Sequence, residues 1–258
     1  MPSASPRVTV SGPLRAAPAA ELPRTHLPAV KPQRSSTYYS SNWSGWVAAA
    51  HSGKTITSAS VNYTIPSLDS GKCTPGTSGY AYNSDWVGLD GFSDGTVEQT
   101  GTADYCYAGG GTGLYAWYEM YPLNPVAYSG VRPGDAIDVS VTYSTSTRLY
   151  HLVLKDVTID GEISVYEGCP SGSVCHDSSA EVVDEAPGGG PGGGYNLADF
   201  GQTGFTAATV AGSGISGTLA SSADWTADDV VMEYDHIMDV PTGLEGGQAF
   251  DSDWEAPY

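Results

Sequence analysis

Ala59-Ser60-Val61-Asn62-Tyr63-Thr64-Ile65 alternates apolar and polar side chains at every step. A strand points successive side chains to opposite faces, so this heptapeptide has one dry face and one wet face. The same period recurs elsewhere. Ile137, Val139, Val141 and Tyr143 alternate with Asp138, Ser140 and Thr142. Tyr150, Leu152 and Leu154 alternate with His151 and Lys155, and Val230, Met232 and Tyr234 with Val231, Glu233 and Asp235. Clusters of Gly, Pro, Asn and Asp separate these runs at hairpin spacing. No stretch of about a dozen residues carries a convincing helical period. The expected fold is all-β, a sandwich of two antiparallel sheets over residues 35–258, with no internal repeat.

Composition agrees. The chain has 258 residues, 40% of them hydrophobic, enough for a sizeable core. Its 33 glycines and 17 tyrosines suit turns and pleated strands better than helices. No run of about 18 apolar residues is present, so no transmembrane helix is expected. The net charge of −19 argues against nucleic-acid and anionic-membrane partners, because like charges repel.

The charge is uneven. Residues 1–34 hold Arg7, Arg15, Arg24, Lys31 and Arg34 against Glu21, a net +4, with seven prolines and no apolar period. The other 224 residues hold five basic and 28 acidic groups, a net −23. Residues 1–34 therefore read as an extended or disordered leader, lacking the apolar core of a signal peptide. One reading is a solvated tail. The other is a basic pro-segment lying on the acidic body, with Arg24, Lys31 or Arg34 across a cleft and a mature start near residues 34–38.

Cys73, Cys106, Cys169 and Cys175 allow three pairings. No CxxC and no His at zinc-ligand spacing accompany them, so no metal site is expected. Disulfides fit better and imply an extracellular compartment, with free thiols as the alternative. Cys169 and Cys175 flank a short Gly/Ser/Pro loop, which makes a local bridge plausible and leaves Cys73 with Cys106.

Some polar residues break the core pattern. Tyr115, Trp117, Glu119 and Tyr121 share one strand face, as do Trp86, Gly88 and Asp90. Gln99 shares a face with Val97, and Glu181 and Glu185 share the Val183 face. Aromatic rings interleaved with carboxylates and an amide point to a polar floor for an extended ligand, peptide or sugar. The plainer reading is a set of separate, hydrogen-bonded strand residues. Asp104, just beyond Gln99, is counted with the floor.

Five motifs then stand in order: Ser41-Asn42-Trp43-Ser44-Gly45, Trp86-Val87-Gly88-Leu89-Asp90-Gly91, Gln99-Thr100-Gly101, Ala116-Trp117-Tyr118-Glu119-Met120-Tyr121-Pro122, and Ala180-Glu181-Val182-Val183-Asp184-Glu185-Ala186-Pro187. Together they resemble the eqolisin family, the glutamic peptidases, over roughly residues 38–258. The resemblance implies a β-sandwich, and a secreted, pepstatin-insensitive, acid-active endopeptidase made with a pro-segment. It places the catalytic amide on Gln99 and the catalytic acid on Glu185. Val182 and Asp184 depart from the family's larger apolar residues, and Asp184 sets a second acid beside Glu185.

The chemistry needs no metal or cofactor. A carboxylate takes a proton from water and returns it to the leaving amine. Glu185 fits that role, since a glutamate near its reference pKa of about 4.3 populates both protonation states in acid. Gln99 accepts from the water through its oxygen and donates its NH₂ to the oxyanion. Asp90, Glu119 and Glu181 would orient these groups, and Trp86 and Trp117 would wall the cleft. The expected partners are polypeptide substrates and the chain's own leader, acting on a monomer. Two alternatives stand beside this reading: a carbohydrate-binding sandwich, and a glycoside hydrolase using Glu119 with Glu185.

Overall fold

The computed structural model describes residues 6–17, 31–32, 37–188 and 195–257. Arg24, Arg34, the Lys31 side chain and most of the glycine loop at 188–194 lie outside the described residues. Among the described residues the regular structure is strand, apart from one 3₁₀ turn at Ser70–Lys72. The strands are β1 (Arg7–Ser11), β2 (Arg15–Ala16), β3 (Lys31–Pro32), β4 (Thr37–Ser40), β5 (Trp43–Ala50), β6 (Ser58–Thr64), β7 (Tyr80–Leu89), β8 (Val97–Tyr107), β9 (Thr112–Tyr121), β10 (Val126–Ser129), β11 (Ala136–Ser144), β12 (Leu149–Asp156), β13 (Gly161–Glu167), β14 (Ser179–Glu185), β15 (Asn196–Leu197), β16 (Gln202–Gly212), β17 (Ile215–Thr218), β18 (Trp225–Glu233), β19 (Ile237–Pro241) and β20 (Phe250–Trp254).

Two sheets follow from the pairing. One runs β2–β10–β9–β8–β7–β14–β5–β18–β4–β3. The other runs β1–β13–β12–β11–β6–β16, with β17 and β20 beside β16. β19 pairs with both β18 and β20, so the ladder passes from sheet to sheet on that side. Pairing is antiparallel except for β18 with β4 and β7 with β15.

The alternation seen in the sequence builds the core. β6 lies between β11 and β16, burying Ala59, Val61 and Tyr63 while Asn62 and Thr64 face outward. Val139, Leu152, Val87, Met120 and Val182 meet them between the sheets. Each fully buried Val, Leu or Met side chain contributes about 1.5–3 kcal/mol. Disulfides Cys73–Cys106 and Cys169–Cys175 form as expected.

The leader is extended, but residues 7–16 are not a solvated tail. β1 adds to the edge of one sheet and β2 to the edge of the other, and Leu14 between them is 1% exposed in the core. Two of its cations are engaged there: Arg7 stacks over Tyr166, and Arg15 donates to the Gly12 and Leu14 carbonyls.

Candidate active site

Register fixes what shares a face. On the outer face of the first sheet, one row across five strands reads Val47, Glu181, Gly88, Gln99, Glu119. The next reads Gly45, Val183, Trp86, Gly101, Trp117. The third reads Trp43, Glu185, Ser84, Ala103, Tyr115. Period two along each strand brings Trp86, Gln99, Trp117, Glu119, Glu181 and Glu185 to one surface, as the sequence implied.

Trp86 organises this surface. Its Nε1 donates to Glu185 Oε2 at 3.0 Å. Its far edge leans over Gly88, where a Cβ would lie 2.9 Å from Trp86 Cζ3 and 3.3 Å from the Gln99 Cβ. Only glycine leaves room for the ring there. Glu185 and Gln99 therefore flank one indole, Glu185 at its polar edge and Gln99 near its benzo edge. Trp43 packs edge-on against Trp86 at 4.9 Å, and Trp117 Nε1 donates to Ser84 Oγ at 3.1 Å.

Each group is held from behind. Asn42 Nδ2 donates to Glu185 Oε1 at 3.3 Å, and Asn42 Oδ1 accepts from Ser40 Oγ at 3.2 Å. Gln99 Nε2 donates to Glu119 Oε2 at 2.8 Å, while Gln99 Oε1 has no partner in the protein. That bond fixes the amide plane and leaves its second N–H as a donor. Because Glu119 is engaged by Gln99 and lies one strand further from Glu185, a Glu119/Glu185 carboxylate pair is disfavoured. Burial pushes the Glu181 carboxyl well above the usual range, and Glu181 shares the row with Gln99 across Gly88.

Asp184 does not crowd Glu185. Strand alternation sends it to the inner face, opposite Asp85. Two other expectations need correction. Asp104 also faces inward, paired in register with Asn83 rather than with the Gln99 surface. Asp90 lies at the end of β7 and accepts from the backbone N–H groups of His176, Asp177 and Ser178 at 2.7, 2.9 and 2.6 Å. It anchors the segment after the Cys169–Cys175 loop, and burial still pushes its carboxyl up to about 6. Asp90→Ala strands three partly buried donors, so it should lower stability by about 2–4 kcal/mol, roughly 4–16 °C in Tm. Its kcat, measured well below that Tm, should change less than tenfold. A larger fall in kcat at unchanged Tm would return Asp90 to the site.

Two features were not read from the sequence. Asn42 stood only in the first family motif, yet it is 2% exposed and bonded to Glu185. Beyond Ser84 the same face continues into tyrosines. Tyr82 and Tyr105 lie 5.2 Å apart, Tyr105 and Tyr115 stack at 5.7 Å, and Tyr80 and Tyr107 reach solvent. Tyr80-Ala81-Tyr82 and Tyr105-Cys106-Tyr107 carried that signal.

A sequence model of the Peptidase A4 family matches residues 41–238. Aspergillopepsin-2 of Aspergillus niger is 31% identical over 215 residues, covering 75% of this chain and 73% of its own length. Scytalido-glutamic peptidase, solved with a transition-state analogue inhibitor, superposes with a TM-score of 0.65 at 23% identity, over 83% of this chain and 98% of that one. Aspergilloglutamic peptidase from Aspergillus niger gives 0.57 at 24% identity, over 68% and 99%.

Proposed function

Since the chain belongs to the Peptidase A4 family, the eqolisins, and is a glutamic endopeptidase, we propose that it cuts polypeptides in acid with Glu185 and Gln99 as its dyad. The observation that carries this reading is the shared indole: Trp86 fixes the Glu185 carboxylate at one edge and packs beside Gln99 at the other. A substrate peptide laid across that ring meets a base on one side and an amide donor on the other.

The steps balance without any further group. Glu185 removes a proton from water as the water oxygen attacks the scissile carbonyl carbon. Negative charge gathers on the carbonyl oxygen and is met by the Gln99 N–H not bonded to Glu119. Protonated Glu185 then gives its proton to the leaving nitrogen, the C–N bond breaks, and the carboxylate is restored. Trp86 and Asn42 hold the base in plane, which preserves the near-attack geometry. Gln99 cannot titrate, so its part survives acid. The tyrosines beyond Ser84 extend the floor for substrate residues on the Glu185 side.

Secretion is supported by the two disulfides, which persist in oxidising compartments. A zymogen is supported by burial: Trp86, Gln99, Glu181 and Glu185 are each 0% exposed in the intact chain, so a substrate reaches them only after a rearrangement. We assign that rearrangement to release of the basic leader from the acidic body on acidification, with the mature chain starting near residues 34–38 and acting as a monomer. The test is digestion of a denatured protein at pH 2–7, with and without pepstatin. Cleavage confined to the acid range and untouched by pepstatin is expected, after a lag during which the leader is lost. Pepstatin-sensitive cleavage, or none at any pH, would overturn the reading.

A further inference from the structure

We propose that the open side of the sandwich is a second peptide-binding site, of the strand-addition type, whose resident ligand is residues 7–17 of this chain. It is separate from the candidate active site, which lies on the outer face of one sheet; this site lies where the two sheets gape at β10 and β13.

The geometry is that of a receptor for one segment. β19 joins the sheets on one side of the sandwich. On the other side β13 and β10 would be bare edges, each with a row of unpaired backbone groups. β1 covers β13 in five-residue antiparallel register, Arg7 opposite Tyr166 through Ser11 opposite Glu162. β2 covers β10, Arg15 opposite Ser129 and Ala16 opposite Tyr128, and Ala17 N–H donates to the Ala127 carbonyl. One short segment thus satisfies both edges.

Leu14 is the anchor. It enters the core between the sheets and is 1% exposed, while Val8 and Val10 remain at 40% and 37%. The body leaves space for it with two glycines. A Cβ on Gly161 would stand 3.0 Å from Leu14 Cγ, and one on Gly130 would stand 3.1 Å from Leu14 Cδ2. Within the ligand, Gly12 at φ +69° brings the turn against the Asp160 carbonyl, where a Cβ would come within 2.5 Å. At the far end Arg7 caps a stack, 5.2 Å above the Tyr166 ring, which lies 4.0 Å from the His151 ring. Backbone pairing supplies affinity in such a mode, and a single pocket supplies specificity. The recognised pattern is an extended strand, a glycine turn and a leucine before an arginine.

The site therefore holds its ligand without a covalent link. The test keeps the full chain and places a recognition sequence for a specific protease after Ala19. The chain is cut at neutral pH and passed over a sizing column in native buffer. The 1–19 fragment is expected to co-elute with the body at neutral pH and to leave it in denaturant. Leu14→Ala should weaken retention about 30-fold or more, since a buried leucine is lost. Gly161→Val, which fills the slot from the body's side, should do the same with the leader unchanged. A wild-type fragment that separates on cutting would overturn the proposal, as would equal retention of the Leu14→Ala fragment. Dimerisation of the body after fragment loss would overturn it too, showing edges that pair with any strand. The readout is mass, so it stands or falls apart from peptidase activity.

Discussion

Glu185→Gln will lower kcat about 10³-fold or more while leaving the Tm within a few degrees of the parent, because the amide keeps the shape and loses the base. Gln99→Ala will lower kcat by a similar order, because the oxyanion loses its donor. Glu119→Gln separates positioning from chemistry. It replaces the carboxyl that holds the Gln99 amide with a second amide, so kcat should fall less, by roughly 10–100-fold, with KM nearly constant. The partners explain why these losses fall on kcat. Trp86 and Asn42 hold Glu185, and Glu119 holds Gln99, so each group meets the reacting atoms already oriented. Substantial activity in Glu185→Gln would shift the role to Glu181, two rows away on the same face.

The Tm will fall by roughly 10 °C or more between pH 4 and pH 8, the opposite of the common trend for carboxylate-stabilised folds. Acids lie buried across the first sheet with few cations near them. Among the described residues the ion pairs are Lys54–Asp224 and Lys72–Asp199. Between the sheets, Asp85 and Asp184 face each other across β7 and β14, with Asp239 close by. Asn83 and Thr203 donate to Asp85, and Ser252 donates to Asp239. Burial raises all three carboxyls above the usual range, and mutual repulsion raises Asp184 further. Burial also raises Glu98, Asp104 and Glu181 well above the usual range, and takes Asp90 to about 6.

The sign follows directly. A carboxyl whose folded pKa exceeds its unfolded value binds its proton more tightly when folded. Its contribution is complete below the unfolded value near 4 and is lost as pH rises through the folded value. For Asp90 that window runs from about 4 to about 6, and the other buried acids lose their contribution as pH rises through their own raised values. Asp184→Asn keeps the shape without the charge, so it should raise the Tm at pH 7 by roughly 2–10 °C and change it little at pH 3–4. A Tm that climbs from pH 4 to pH 8 would contradict this account.

The strands and the composition of the active-site face were legible in sequence for one reason. Alternation is local, and burial on one face prints it directly, as in β6, β11 and β12. The same rule placed Glu181 and Glu185 together, whereas the motif set Asp184 beside Glu185 and the structure turns it to the opposite face. What it could not give was depth or partner. Asp90 and Gly88 share a parity, yet Asp90 meets backbone groups some 86–88 residues away. Asn42 meets Glu185 across 143 residues. Asp104 was grouped by proximity to Gln99, but five residues along a strand reverse the face. The leader's proline content and charge concealed Leu14, because a single anchor residue has no period. Its docking depends on Gly130 and Gly161, which carry no side chain to advertise the slot.

The central claim is that Glu185 and Gln99 act as one unit, and the Gln99→Ala/Glu185→Gln double variant tests it most directly. Its kcat on a peptide substrate at acid pH, set against both single variants, gives the coupling. The account predicts a double variant within about tenfold of the worse single one, because groups that serve one transition state lose their effect together. A loss equal to the product of the two single losses would mean that the two residues work independently, and would contradict it.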